Sequence, residues 1–596
     1  MPVHSSIDVE NPKQTISSCF KMTHYVVPAF QREYVWEDTE IEQLLGDIES
    51  AFETDSGKEY FLGTTVVYKS NDKLQLIDGQ QRMTTFFLIL CAIAKHYSKN
   101  SESATAYEQL INAPTVDDEG TTINSYTLEL QYENSSECLS NVWEGKIPED
   151  IDNLSESNRR IYEAYNIIEK KLDNDYTDFA EYKKFAGYFI NKVVFIQIGA
   201  TNMADALKIF ETINQRGVTL NPMDLLKNML FMQVKESQFD KLNSKWKAMI
   251  DDLESMKEKP LRFLRYYITA TYDISDIKTD YQGIINEDDI YNWLIKNDAK
   301  CNYKSDPIKF TDNMIDGLKR YRTFLDPDSS VDGRDYLLNV KALMGNSYRL
   351  HIVPLLSSSS MDDTTRRKLF KVFDLVTYYM VVNNIKSNVV ERLFSSWCPI
   401  IRKITDDASL NVFIENNVKT TINNWNVAYK QNFMGLSLAS IQKYKIKTIL
   451  ARIAKYIDAC RASSGDETDI SDYVKAKNEI EHIMPVTCDQ IDRYQIDDQD
   501  EYDLQKNRLG NLTLLEKTLN ATIQNDEYES KITAYGESSF YLTKSIKELT
   551  DIGSDTAINR MNEKLKSWDK WTVFTINERQ EMLYNLTKEI WNLSEL

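Results

Sequence analysis

The sequence predicts an α+β protein, predominantly helical and built from several domains. Three observations predict this. The chain has 596 residues, and at roughly 150 residues per domain that length suggests about three or four domains. Apolar residues spaced three to four apart dominate from about 240 to 425, which is the helical period. Runs rich in Val, Ile, Tyr and Phe fall in the first 200 residues, with a further short one beyond 500. Hydrophobic residues make up 42% and charged residues 27%, the balance of a chain that folds rather than one that stays disordered.

Taken in order, His24–Val27 reads as a strand ended by Pro28. Ile41, Leu44, Leu45, Ile48 and Phe52 mark a helix over 37–53. Tyr60–Tyr68 and Leu74–Ile77 read as strands joined by the turn Ser70-Asn71-Asp72, and an apolar helix follows from about Gln80. Residues 98–160 are polar with weak periodicity and read as an irregular insertion or a set of short helices. Lys192–Ile198 reads as a buried strand, followed by helices over 203–213 and 222–234. The stripe Phe370, Phe373, Leu375, Tyr378 and Tyr379 reads as helix core. Ala462–Thr468 is small and polar and reads as a flexible connection. The expected division is 1–235, a helical spacer over 236–425, and 426–596.

Several classes are excluded. The longest apolar run, Phe86–Ala94, is too short to span a bilayer. The N-terminus has no basic region followed by a hydrophobic one. The seven cysteines (Cys19, Cys91, Cys138, Cys301, Cys398, Cys460, Cys488) are scattered and form no CxxC. No disulfide framework or thiolate zinc site is expected, and a cytoplasmic location is.

The net charge of −21 argues against nonspecific coating of nucleic acid. It leaves room for a local basic groove. Residues 430–461 carry Lys430, Lys443, Lys445, Lys447, Arg452, Lys455 and Arg461 against the single acid Asp458. That stretch reads either as a solvated helix face or as a DNA-facing one.

Two groups of residues carry chemistry. Near the C-terminus, Asn478–Pro485 (NEIEHIMP) holds one of only five histidines beside two glutamates. About thirty residues later comes Asn507–Leu515 (NRLGNLTLL), a short strand, and then a helical pattern carrying Asn520 and Asn525. Phosphodiester hydrolysis needs a base to activate water and a hard cation to stabilise charge on the phosphate. His482 suits the base. Glu481 and Asn520 suit a Mg²⁺-like ion, which takes oxygen ligands and keeps several waters, and Glu479 is the second-choice ligand. Asn511 is positioned to hydrogen-bond the loop carrying His482. Neighbours on a regular strand face opposite sides, so Glu481 and His482 serve one metal only if the strand is ending, as Pro485 suggests. The competing reading is a partly buried histidine paired with a glutamate.

Near the N-terminus, three polar loops sit among apolar elements: Val27–Trp36 (VPAFQREYVW), Ile77–Thr85 (IDGQQRMTT), and Phe210–Val218 (FETINQRGV) leading to Asp224–Asn228. In the second, Gly79 permits close backbone approach, the helix start offers N–H groups to phosphate, and Arg82 suits phosphate oxygens. Asp78 is placed to hold a metal or position water. The competing reading is a D-x-x-Q capping box of Asp78 and Gln81. No Walker A pattern occurs.

NEIEHIMP, NRLGNLTLLEKTLNATIQNDEYESK, SSFYLTKSI and INERQEMLYNLTKEIW closely resemble the HNH-type nuclease domain of GmrSD-type restriction enzymes. The three N-terminal loops resemble the N-terminal domain of the same family, whose DGQQR motif is similar to the ParB/sulfiredoxin fold. The resemblance covers both ends of the chain, about half its residues. It implies a C-terminal ββα-metal finger with His482 as general base, Asn511 as the middle motif residue, and Glu481 and Asn520 at the metal. The third motif position is Asn here rather than His. Asn525 and Lys531 also match the pattern. At the N-terminus it implies NTP binding and hydrolysis around Asp78, Gly79, Gln80, Gln81 and Arg82, with Gln31 and Arg32 lining the same pocket. Asn214, Arg216 and Gly217 match a third signature. Lys443, Lys445, Lys447 and Lys531 are the expected DNA-facing cations.

The expected function is that of a Type IV, modification-dependent restriction endonuclease. It would use Mg²⁺ or another divalent cation and an NTP (GTP, ATP or another) against double-stranded, modified phage DNA, with no membrane partner and with homodimerisation left open. Two rivals stand beside it: a nucleotide-dependent DNA-binding regulator with a vestigial nuclease, and a toxin-type nuclease acting on RNA or host DNA.

Overall fold

The computed structural model describes the chain except residues 1–6, 9–11, 22, 71–72, 114, 117–121, 124, 133–134, 136, 152, 215–221, 276–284 and 462–467. Helices take 64% of it, so the α+β, predominantly helical class holds. Two compact units form, one from 1–248 with 302–311, the other from 249–301 with 312–596.

The first unit is built on a mixed sheet. Its path runs Ile7–Asp8, Val193–Ala200, Tyr60–Ser70, Lys73–Asp78, Tyr25–Val27, Leu128–Leu130, with Lys13–Thr15 also on Val193–Ala200. Tyr60–Ser70 pairs antiparallel with Lys73–Asp78, the expected hairpin, and parallel with Val193–Ala200. Helix Gln80–Lys99 is the centre of this core. Its apolar run from Phe86 to Ala94 is at most 3% exposed, which is why an all-round hydrophobic helix appears at this point in the sequence. The stretch 98–160 supplies short helices, Thr105–Ile111 and Cys138–Glu144, as expected. It also supplies the edge strand Leu128–Leu130, three residues too few to show a period.

Among its described residues the second unit is helical apart from one ladder, Asn478–His482 against Leu512–Glu516, and an isolated bridge between Ser437 and Arg508. The Phe370–Tyr379 stripe lies in helix Asp363–Val382 and is buried throughout. Tyr378 stacks on Trp591 at 3.7 Å, and Asp374 accepts from Arg452 at 3.0 Å, which ties the C-terminal residues to the helical body. All seven cysteines are free. No described helix is long and apolar enough to cross a membrane.

His351 is fully buried against Phe394, with ring centroids 4.9 Å apart. Burial pulls its pKa from 6.5 down to about 3, with the Ser347 backbone opposing weakly. The folded protein therefore keeps this ring neutral. Below about pH 6.5 the unfolded chain takes up a proton that the folded one refuses. This contribution to stability is complete above that pH and is lost as pH falls toward about 3. The denaturant midpoint should drop between pH 7 and pH 5, and His351→Leu should flatten that drop. An unchanged slope in the variant would assign the acid sensitivity elsewhere.

Candidate functional site

The N-terminal loops converge. Phe30, Gln31, Arg32 and Trp36 of the first loop, Ile77–Arg82 of the second, and Phe210, Lys227 and Asn228 line one cavity of about 160 Å³. All the residues singled out in the first two loops therefore meet. The side chain of Asn214, and Arg216 and Gly217 altogether, lie outside the described residues.

The local backbone explains the second loop. Gly79 is the N-cap of helix Gln80–Lys99, with φ of 88° and no side-chain cap. A Cβ there would also stand 2.6 Å from Thr65 Cγ2, so the left-handed turn needs glycine. The D-x-x-Q capping box does not form, because Gln81 is used elsewhere. Its Nε2 donates to Glu33 O at 2.9 Å and its Oε1 accepts from Val35 N at 2.9 Å. Gln81 thus fastens the first loop to the second.

Arg82, which lines the cavity, spends two of its donors on the protein's own backbone. Its guanidinium donates to Leu62 O at 2.5 Å and Thr64 O at 2.6 Å, at the irregularity of the Tyr60–Ser70 strand. It stands 4.0 Å from Asp78. Burial raises the Asp78 pKa, while Arg82, the Gly79 N–H and Arg32 oppose that shift. Gln80 donates through Nε2 to Arg32 O at 3.1 Å.

The C-terminal segment has the order strand, strand, helix: Asn478–His482, Leu512–Glu516, Lys517–Ile523. His482 is the last residue of its strand, opposite Leu512, and Glu481 is the rung before it, opposite Thr513. The two side chains take different partners. Glu481 Oε1 accepts from Lys531 Nζ at 2.7 Å and from Tyr535 at 3.0 Å. His482 bonds the Asn507 side chain, and the charges of Lys531, Lys443 and Lys506 act on its ring. Burial lowers its pKa to about 4, so the imidazole is neutral near pH 7. Burial raises the Glu481 pKa, with Lys531 and Tyr535 opposing.

Asn520 Nδ2 donates to Glu479 Oε2 at 2.8 Å. The second-choice ligand Glu479 is therefore the direct neighbour of Asn520. Among the described residues no group of three or more His, Cys, Asp or Glu has metal-holding geometry.

The Asn511 carboxamide, 0% exposed, uses both its atoms twice. Oδ1 accepts from Met484 N at 2.7 Å and Trp571 Nε1 at 2.8 Å, and Nδ2 donates to Met484 O at 3.0 Å and Lys506 O at 2.8 Å. Asn511 O also accepts from Ile483 N at 2.9 Å. Arg579, fully buried, clamps the same backbone by donating to Gly510 O at 2.9 Å and Leu512 O at 2.7 Å. Gln580 accepts from Gly510 N at 2.6 Å. A Cβ on Gly510 would collide with Ile576 O. Asn525 holds the next turn, accepting from Val486 N at 2.8 Å and donating to Thr487 O at 2.8 Å.

Residues 14–231 match the family model for the N-terminal domain of GmrSD restriction endonuclease, and residues 425–586 match the one for the C-terminal domain of GmrSD restriction endonucleases. The chain belongs to the GmrSD restriction endonucleases. No curated protein matches it. The family makes this chain a nuclease of the Type IV kind, with DNA as its partner.

The expected DNA-facing cations of this GmrSD chain fall into two groups. Lys531 is a correction: its side chain is 1% exposed and its ammonium is spent on Glu481 and on His482 O at 2.7 Å. Lys447 donates to Val474 O and Lys475 O at 2.8 and 2.9 Å. Lys430, Arg452 and Lys455 pair with Glu581, Asp374 and Asp335. Lys445 is half-buried, and burial lowers its pKa. Lys443 is exposed, and its charge acts on His482. Sequence reasoning missed Lys506, Asn507, Tyr535, Trp571 and Arg579. The run INERQEML was noticed only for its likeness to the family.

Trp571→Phe removes the indole N–H that helps fix which way the Asn511 amide points. A lost bond to a buried acceptor costs about 1–3 kcal/mol. Single-turnover cleavage should slow by about tenfold or more with KM little changed. A wild-type rate would mean that Met484 and Lys506 orient the amide unaided. Lys443→Glu should weaken DNA binding and reduce the salt slope by about one. Lys447→Glu should chiefly lower the melting temperature. Equal salt slopes in wild type and Lys443→Glu would place Lys443 away from phosphate.

Proposed function

We propose that the chain is an NTP-regulated, modification-dependent DNA endonuclease acting in the cytoplasm against phages with modified DNA. The observation that carries the nuclease half is the Asn511 clamp, which holds the backbone just after His482, the last residue of its strand. His482 would take the proton from the attacking water, since an imidazole kept neutral by burial accepts one without first losing its own. Asn511 would hold the His482 backbone through Ile483 and Met484. Lys443 and Lys506 would draw the phosphate toward the ring.

Glu481, Glu479 and Asn520 would be the oxygen donors for a hard divalent cation. Glu481, whose Oε1 bonds Lys531 and Tyr535, would turn its second oxygen to the ion. Glu479 and Asn520 add oxygen donors nearby, the set that Mg²⁺ prefers. Such an ion would stabilise charge on the phosphate and the leaving oxygen.

The N-terminal cavity supports nucleotide control. Asp78, Arg32, Arg82 and Lys227 place both charges around it. At about 160 Å³ it is smaller than the roughly 300–1,000 Å³ of typical ligand sites. It would therefore enclose part of an NTP, with the remainder at its mouth. The rival reading, a DNA-binding regulator with a vestigial nuclease, draws on the sealing of Glu481 by Lys531.

A cleavage panel of modified and plain phage DNA decides between them. Cutting should need a divalent cation, and His482→Ala should slow it by about 10²–10⁴-fold. Full-rate cutting by His482→Ala removes this site from the chemistry. No cutting by wild type under any metal and NTP condition favours the regulator.

A further inference from the structure

We propose that Asn507 is a positioning residue of the nuclease site, whose carboxamide oxygen holds the His482 imidazole in one tautomer and so fixes which ring nitrogen is free to take a proton. The assignment rests on the reading of His482 as general base and deepens it.

The direction of the Asn507 amide is set from one side. Its Nδ2 donates to Asp503 O at 3.0 Å, one turn back in helix Gln499–Lys506. The carboxamide oxygen is what remains for His482, whose ring bonds this side chain. An amide oxygen only accepts, so the ring nitrogen turned to Asn507 carries the hydrogen. An imidazole that is to take up a proton starts neutral, and a neutral ring has one hydrogen for its two nitrogens. The other nitrogen therefore keeps its lone pair. Without an acceptor at Asn507 the hydrogen would divide between the two, and a share of molecules would present an N–H to the attacking water. In a Ser-His-Asp triad a carboxylate sets the tautomer of the histidine. Here an amide does so.

The backbone keeps the pair together. Asn511 Nδ2 donates to Lys506 O at 2.8 Å, just before Asn507, and to Met484 O at 3.0 Å, just past His482. One buried amide thus ties both members. Asn507 O also accepts from Leu438 N at 2.9 Å, and the adjacent Arg508 guanidinium donates to Met434 O at 3.1 Å. Asn507 is the C-cap of its helix, so the competing role for its side chain is to close that helix on Asp503 O and nothing more.

Two substitutions separate these roles. Asn507→Leu removes both the Nδ2 donor and the oxygen. Asn507→Asp removes the donor and keeps an acceptor. A helix cap would be lost alike in both, whereas a tautomer holder survives in Asn507→Asp. The full chain is prepared with ring-¹⁵N histidine and studied at about pH 8, above the range in which imidazole is charged. His482 is one of five histidines, and its signals are those missing from His482→Gln. Wild type should give separate shifts for one protonated and one bare ring nitrogen. In Asn507→Leu the two shifts should converge, and single-turnover cleavage of DNA should slow about tenfold or more, with the half-saturating DNA concentration unchanged. Asn507→Asp should keep the shifts apart and recover most of the rate. Asn507→Ala replaces Asn507→Leu if the latter does not fold.

Converged shifts in wild type overturn the proposal, and so do separate shifts in Asn507→Leu. Equal slowing of Asn507→Leu and Asn507→Asp overturns it in favour of the helix cap. A slow His482→Ala protein beside an Asn507→Leu protein of wild-type rate and shifts sinks this inference alone. Full-rate cutting by His482→Ala, with the shifts still governed by Asn507, sinks the general-base reading instead.

Discussion

One buried carboxamide holds the C-terminal site together. Asn511 bonds Met484 on one side, Lys506 on another and Trp571 on a third. Its own backbone is gripped by Arg579 through Gly510 and Leu512. A buried amide with every valence met is rigid, because each bond lost leaves an unsatisfied partner. Rigidity passes from the helix Val573–Ile590 to the strand end that carries His482.

Charge is buried around this clamp to an unusual degree. Arg579 is fully enclosed, with Nε and Nη2 unpartnered, and burial lowers its pKa to about 9. Glu481 and Lys531 form an ion pair with side chains 6% and 1% exposed. Such pairs seldom add stability over apolar packing, but breaking one is costly. Their value here is geometric, since Lys531 also holds the His482 carbonyl. The same burial explains how an acidic chain presents cations at one place. Most of the 430–461 basic stretch is bonded within the protein, while Lys443 of that stretch and Lys506 of another helix carry the charges that act on His482.

The N-terminal cavity follows a different logic. There the amides are partly unsatisfied instead of saturated. Gln81 is spent on joining two loops, Arg82 on carrying an irregular strand, and Gly79 on a left-handed turn. Gln31 Nε2 and Gln80 Oε1 stay buried without a partner.

The sequence by itself determined the class, the strand and helix order, the helical core stripe and the family, because periodicity and short motifs are local. It also pointed to His482, Asn511, Asn520 and the DGQQR loop, since those residue types are rare or specifically spaced here. Tertiary structure alone decided which side chains are spent and which remain. Glu479 rather than Glu481 partners Asn520, Lys531 turns inward, and Trp571 and Arg579 enter the site from about 60 to 70 residues away. Hydrogen-bond partnership depends on distance in space, and a chain read in order carries no measure of it.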